Sequence, residues 1–320
     1  MPTATEETTN HTKAATTLEF IVFRDTLLAE LANLQGIVEN KTTIPILSNI
    51  LVTANSLTSL TLSATNLDRS LVTTLDAKVK QPGAIAIPAR KLFDYVKLLP
   101  SGDITVKALD NNWVQIRSGR SNTKMVGMLP SNFPQIPTAV GKRMFRIPCA
   151  SMRALIDHTE FAVSREESRY TLNAARLTID AEQLRSVATN GHRMAYYTVQ
   201  GKTEGVDKPY VFLIPHPALS GIRNLLDATD VADLTVCEDD NSIFFSIGGR
   251  EYATRKMTGQ FPNVEAVLPR HKKFFIAKTV DVEKAIRRVA TFADDKSNAV
   301  KMTVDRTGRG MTIIVDILLL

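Results

Sequence analysis

Residues 85–134 read IAIPARKLFDYVKLLPSGDITVKALDNNWVQIRSGRSNTKMVGMLPSNFP, and residues 212–262 read FLIPHPALSGIRNLLDATDVADLTVCEDDNSIFFSIGGREYATRKMTGQFP. Laid over one another, they share identities in the same order. Ile87-Pro88 matches Ile214-Pro215, Leu98-Leu99 matches Leu225-Leu226, and Asp103, Thr105 and Val106 match Asp233, Thr235 and Val236. Asp110-Asn111 then matches Asp240-Asn241, Gly119 matches Gly249, Lys124-Met125-x-Gly127 matches Lys256-Met257-x-Gly259, and Phe133-Pro134 matches Phe261-Pro262. The offsets stay between 127 and 132. A recurrence of this length marks a duplicated structural unit.

Upstream the match continues, because Ala64-Thr65-Asn66-x-x-Arg69 returns as Ala188-Thr189-Asn190-x-x-Arg193. A third copy opens near Lys272, resembling the stretches around Phe20 and Phe145, and stops before its second helix. The expected organisation is a tail over 1–17, repeated domains over 18–143 and 144–271, and a partial third domain over 272–320. From the repeat length, roughly 60–75 residues of a third domain are expected to be missing.

Within each copy the hydrophobic period reads strand, helix, strands, and then the same again. Helices are predicted over 25–38, 90–99, 151–163, 217–227 and 281–293, and strands over 46–53, 58–65 and 71–79. Pro88 and Pro215 suit a strand end or a first helical turn. The fold class is α+β, each domain packing two helices on two small antiparallel sheets. Polar helix positions carry Arg90, Lys91, Lys97, Arg153, Arg223, Lys284, Arg287 and Arg288. They read either as a solvated surface or as a positive face repeated from copy to copy.

The formal charge of +6 makes an acidic partner such as nucleic acid plausible. With 44% hydrophobic and 22% charged residues the composition is that of a globular protein, and no apolar run reaches the roughly 20 residues of a membrane span. Cys149 and Cys237 are far apart and in no CxxC pattern, which suggests neither a disulfide framework nor a zinc site. No Walker loop, G-x-S-x-G or H-E-x-x-H motif occurs, so His158, Asp157, His192 and His216 are the only evident acid–base candidates for an enzyme. No catalytic residue, metal or cofactor is expected, and the compartment is read as cytoplasmic.

Several ordered segments resemble the bacterial β sliding clamp, the DNA polymerase III β subunit family: Lys41-Thr-Thr-Ile-Pro45-Ile-Leu47-Ser-Asn49, Ile87-Pro88-Ala-Arg90-Lys91, Phe161 through Asn173, Ala188-Thr-Asn-Gly-His-Arg-Met194, and Phe261-Pro262 with Leu268-Pro269. The resemblance covers about residues 18–315. It implies a DNA-clamp fold, non-catalytic in itself, whose chains pair as a homodimeric ring around double-stranded DNA and give the polymerase processivity. DNA-facing residues implied by it are Lys41, Arg90, Lys91, Arg169 and Tyr170, with Lys284 and Arg288 added from helix position. It also implies a cleft for short peptides of the polymerase III α subunit, the clamp loader, other polymerases and repair proteins. Leu172, Thr189, Gly191, His192, Arg193, Met194, Pro262 and Val267 match that cleft, although Asn190-Gly191 is equally a simple hairpin signal. Thr123, Met125, Thr291 and Phe292 match the ring-closing contact. The absent Met-Pro-Met-type tail would form the cleft's other wall, so a monomeric peptide-binding module is the alternative reading.

Overall fold

The computed structural model describes residues 18–39, 42–139, 144–268, 276–293, 300–304 and 311–314. The chain divides into two compact units, residues 1–261 and 262–320. In the first, β1 (Glu19–Phe23) runs straight into α1 (Arg24–Gln35), followed by β2 (Asn49–Ala54), β3 (Ser59–Thr65), β4 (Arg69–Asp76), β5 (Lys78–Gln81) and β6 (Gly83–Pro88). Then come α2 (Ala89–Leu98), β7 (Asp103–Ala108), β8 (Trp113–Ser118) and β9 (Ser121–Val126). The order repeats as β10 (Met144–Pro148), α3 (Cys149–Asp157), β11 (Ala174–Ile179), β12 (Gln183–Thr189), β13 (Met194–Gln200), β14 (Tyr210–Pro215), α4 (His216–Asp227), β15 (Asp233–Glu238), β16 (Ser242–Ile247) and β17 (Arg250–Arg255). Among the described residues of the two copies only β5 lacks a strand counterpart, and a single bridge between Arg146 and Glu204 stands in its place. The second unit holds α5 (Thr279–Ala290) and the hairpin β18 (Lys301–Val304) and β19 (Met311–Ile314).

Proline starts three of the helices. Pro88, Pro148 and Pro215 precede α2, α3 and α4 with φ of −54°, −59° and −58°, and none of the three helices has a side-chain N-cap bond. The fixed pyrrolidine angle directs the chain out of the strand and into the helix. Each helix of the first unit buries one stripe: Leu27, Leu31 and Leu34 on α1, Leu92 and Val96 on α2, Met152, Leu155 and Ile156 on α3, and Leu219, Ile222 and Leu226 on α4. Each such side chain contributes roughly 1.5–3 kcal/mol of transfer free energy. An arginine from the first helix of each copy closes the end of the second. Arg24 donates to Val96 O at 3.1 Å and Lys97 O at 2.6 Å, and Arg153 donates to Leu226 O at 2.6 Å. These carbonyls form the negative end of the helix, where a guanidinium is favoured.

The sheets depart from the expected pair per domain. A five-stranded sheet (β5-β1-β7-β8-β9) and a four-stranded sheet (β13-β12-β11-β14) flank one of eight strands, ordered β10-β15-β16-β17-β4-β3-β2-β6. The eight-stranded sheet forms because β17 pairs antiparallel with β4 across the boundary between the two copies, from Arg250 opposite Thr73 to Thr254 opposite Arg69. Two strand edges that would each expose unpaired amides and carbonyls satisfy one another.

Candidate nucleic-acid and peptide interfaces

Arg90 and Lys91 stand exposed on the first turn of α2, with Asp94 as the one acid on that helix, 3.8 Å from Arg90 Nε. On α5, Lys284 and Arg288 are exposed, while Arg287 pairs with Glu283 at 2.8 Å. The positive face does not repeat on α3 and α4, which corrects that expectation. There Arg153 and Arg223 are both bound by Asp227, and Arg223 also by Asp157 at 2.5 Å, so two cations meet two carboxylates. Lys41 lies outside the described residues.

Arg169 and Tyr170 lie in a 3-10 segment, Glu167–Leu172. Tyr170 is 56% exposed. Arg169 is engaged twice: Nε sits 3.1 Å from Glu166, and Nη1 donates to Asn190 O at 2.5 Å. It thereby joins this segment to the turn between β12 and β13, which carries Thr189, Gly191, His192, Arg193 and Met194. Within the turn, Asn190 Oδ1 accepts from the amides of His192 and Arg193, both at 3.0 Å, and Thr189 Oγ1 donates to Arg193 O at 2.8 Å. Gly191 has φ +88°, a left-handed conformation in which a Cβ would lie 2.6 Å from Arg169 Nη1. Arg193 reaches back to Phe161 O and lies 5.8 Å from that exposed ring. His192 is exposed, Met194 and Leu172 half-buried. The turn is therefore the predicted hairpin, held rigid with its His and Arg side chains outward. In the second unit Pro262 and Val267 are both exposed.

Copy one builds the same turn. Asn66 Oδ1 accepts from Asp68 N at 3.2 Å and Arg69 N at 2.8 Å, and Thr65 Oγ1 donates to Arg69 O at 3.0 Å. Its arginine, however, is consumed at the junction, donating to Pro217 O at 3.0 Å. Thr123 and Met125 lie on β9, the outer strand of the five-stranded sheet and the counterpart of β17. Thr291 and Phe292 follow α5, and Phe292 is 71% exposed.

Two family models match, the N-terminal domain of the DNA polymerase III beta subunit over residues 18–137 and its central domain over 146–263. The beta sliding clamp of Caulobacter vibrioides is 32% identical over 296 residues, covering 90% of this chain and 78% of its own. The chain belongs to the bacterial β sliding-clamp family. The Escherichia coli K12 clamp is 30% identical over 290 residues, with the same two coverages. A crystal structure of the Pseudomonas aeruginosa DNA polymerase III β subunit superposes with a TM-score of 0.82 at 28% identity, covering 89% of this chain and 77% of that one. The α+β clamp fold and the role of a DNA sliding clamp in replication follow from that membership.

In this clamp chain the contact between copies holds residues that periodicity did not single out. Glu30 of α1, 8% exposed, accepts from Arg250 Nη2 at 2.5 Å and Nε at 3.0 Å and from Thr73 Oγ1 at 2.9 Å. Arg250 Nη1 also donates to Thr229 Oγ1 at 2.7 Å. A bidentate fork of this kind fixes angle as well as distance. The one signal in the sequence was a carboxylate between Leu27 and Leu31 on the apolar side of α1. Beside the ion pair, burial pushes the Tyr252 phenol up to about 12, the Arg69 charge opposing it. The ring packs against α4 at Gly221, where a Cβ would lie 2.6 Å from the Tyr252 hydroxyl.

Proposed function

We propose that the chain encircles duplex DNA as a homodimeric ring and tethers the replicative polymerase, with no catalytic chemistry of its own. The observation that carries this reading is the edge-to-edge joining of two like modules through β4 and β17, a contact that β9, paired among the described residues with β8 alone, can repeat with another copy. The module boundaries after residues 143 and 271 follow from the same repeat. Arg90 and Lys91 face the duplex from α2, with Tyr170, Lys41, Lys284 and Arg288 in support. Arg169 acts there indirectly, since its guanidinium is already held by Asn190 O and Glu166. Phosphate contacts of this sort attract without reading sequence and so permit sliding.

The surface around Leu172, Thr189, Gly191, His192, Arg193 and Met194 receives short peptides of the polymerase III α subunit, the clamp loader, other polymerases and repair proteins. Thr123 and Met125 meet the Thr291–Phe292 region of a second copy in the closed ring. The cytoplasm is the compartment this role requires. Among the described residues no helix is long and apolar enough to cross a membrane.

The test is retention on circular DNA. The protein, loaded onto nicked circles, is expected to stay bound through gel filtration and to be released when the circle is linearised. Equal release from both forms would reject the topological link. Reversing charge at Arg90 and Lys91 together should weaken DNA association more at low salt than at high salt, because exposed phosphate contacts are screened.

A further inference from the structure

The two copies run on differently beyond their last strands. Counted from the strand ends, Lys256 after β17 holds the place that Gly127 holds after β9: the Gly127 amide donates to Asn112 O and the Lys256 amide to Asn241 O, both at 2.8 Å. In copy one the chain then lies along the outer edge of β6. Ala86 N donates to Met128 O at 3.1 Å, Met128 N donates to Ala86 O at 2.8 Å, and the pair is antiparallel. The Met128 side chain packs against the cluster of Ile46, Leu47 and Phe133. Glycine is what permits so close an approach, since a Cβ on Gly127 would lie 2.6 Å from Ala86 O.

In copy two the lysine carries that Cβ, and its ammonium is engaged by Glu238. The edge that Met128 covers in copy one is left uncovered. β14 ends the four-stranded sheet, and Leu213 takes the register against Arg176 that Ala86 takes against Leu51, so its amide and carbonyl face outward in the same way. Among the described residues neither Leu213 nor Met257, the counterpart of Met128, has a backbone bond across this gap. A recess of 400 Å³ lies there instead, walled by Leu213, Met257 and Phe261, with Val211, 59% exposed, at its mouth.

A bare strand edge beside a side-chain pocket is the geometry of strand addition, in which backbone bonds supply affinity and the pocket selects a side chain. We propose that β14 accepts an extended segment of a partner protein, paired antiparallel at Leu213, with a methionine or leucine of that segment filling the recess. Copy one supplies the occupant's chemistry, because there the chain's own Met128 segment fills the equivalent place on β6. None of the described residues assigned to the duplex, the peptide-binding turn or ring closure lines this recess, so the inference stands apart from those readings.

The probe is a labelled peptide with the sequence of residues 125–131, titrated against the full chain by fluorescence anisotropy, with hydrogen exchange followed across residues 210–215. It should bind and slow exchange in β14. Replacing the peptide's methionine at position 128 by lysine should weaken binding by about tenfold, because the apolar contact in the recess is lost. In the protein, Leu213→Pro removes the outward N–H while sparing the ladder to β11, a change that an outer edge tolerates, and should also cost about tenfold. Met257→Trp fills the recess from its half-buried wall without touching the ladder, and should block the peptide. Absence of binding at millimolar peptide, or equal affinity in both protein variants, overturns the proposal. Protection that appears at the 189–194 turn instead of 210–215 overturns it as well. A dimer on light scattering that Leu213→Pro abolishes would make a second copy the occupant, and so would also reject a partner protein.

Discussion

A single residue, Gly191, links the two surfaces this chain offers. Its φ of +88° is one that side-chain-bearing residues adopt only with strain, and the space its Cβ would need is held by Arg169 Nη1 at 2.6 Å. Arg169 can therefore lie across the turn and bond Asn190 O only because nothing projects from position 191. The neighbouring Tyr170 belongs to the proposed DNA-facing set, while His192, Arg193 and Met194 belong to the proposed peptide cleft, so in that reading the glycine keeps both in register. Gly191→Ala should destabilise the chain by about 1–2 kcal/mol and displace Arg169, lowering affinity for a clamp-binding peptide. Denaturant unfolding together with peptide titration checks this. Unchanged stability and unchanged affinity would mean that Arg169 swings aside without consequence.

At the scale of elements, the deciding contact is between α1 and β17, from different copies of the repeat. Glu30 and Arg250 are 13% exposed or less at their side chains, so their pairing is scarcely screened by water. Glu30→Ala would strand a buried guanidinium, and denaturant unfolding should report a loss of about 3–5 kcal/mol. A loss below about 1 kcal/mol would show that water enters and solvates Arg250. The duplication itself was legible, because Ile-Pro before a helix, Asn-x-x-Arg at a turn and Phe-Pro at a domain end are local chemistry repeated at fixed spacing. Boundaries were less so. The helix expected over 151–163 ends at Asp157, because the apolar run Phe161-Ala162-Val163 continues the helical period into a 3-10 turn. The strand expected over 71–79 is β4 and β5, separated at Ala77, whose amide turns to Thr58 O. The fusion of β4 with β17 was not legible, since alternation tells which face of a strand is buried and not which edge finds a partner. The neutral pairing on α3 and α4 was hidden for a related reason: Arg153 and Asp227 are 74 residues apart and meet only after packing.

For the whole molecule, the junction inside the chain serves as a pattern for contacts outside it. β17 satisfies its outer edge against β4 through five residue pairs, and the repeat assigns β9 the position in copy one that β17 holds in copy two. Among the described residues β9 pairs only with β8, which leaves one row of its amides and carbonyls without a strand partner there. Such an edge either recruits a specific partner strand or invites unspecific association. Thr123 is half-buried on it and Met125 is packed against the core, which gives the edge a shape that a second copy can match. A closed assembly of like modules follows if each open edge meets its counterpart under twofold symmetry. Thr123→Glu places a charge in that contact without touching the core. Gel filtration with light scattering should give a dimer for the unaltered chain at micromolar concentration and a larger monomer fraction for the variant, with the same melting midpoint at low concentration. An unaltered chain that stays monomeric, or a variant that dimerises equally well, would place ring closure on some surface other than β9.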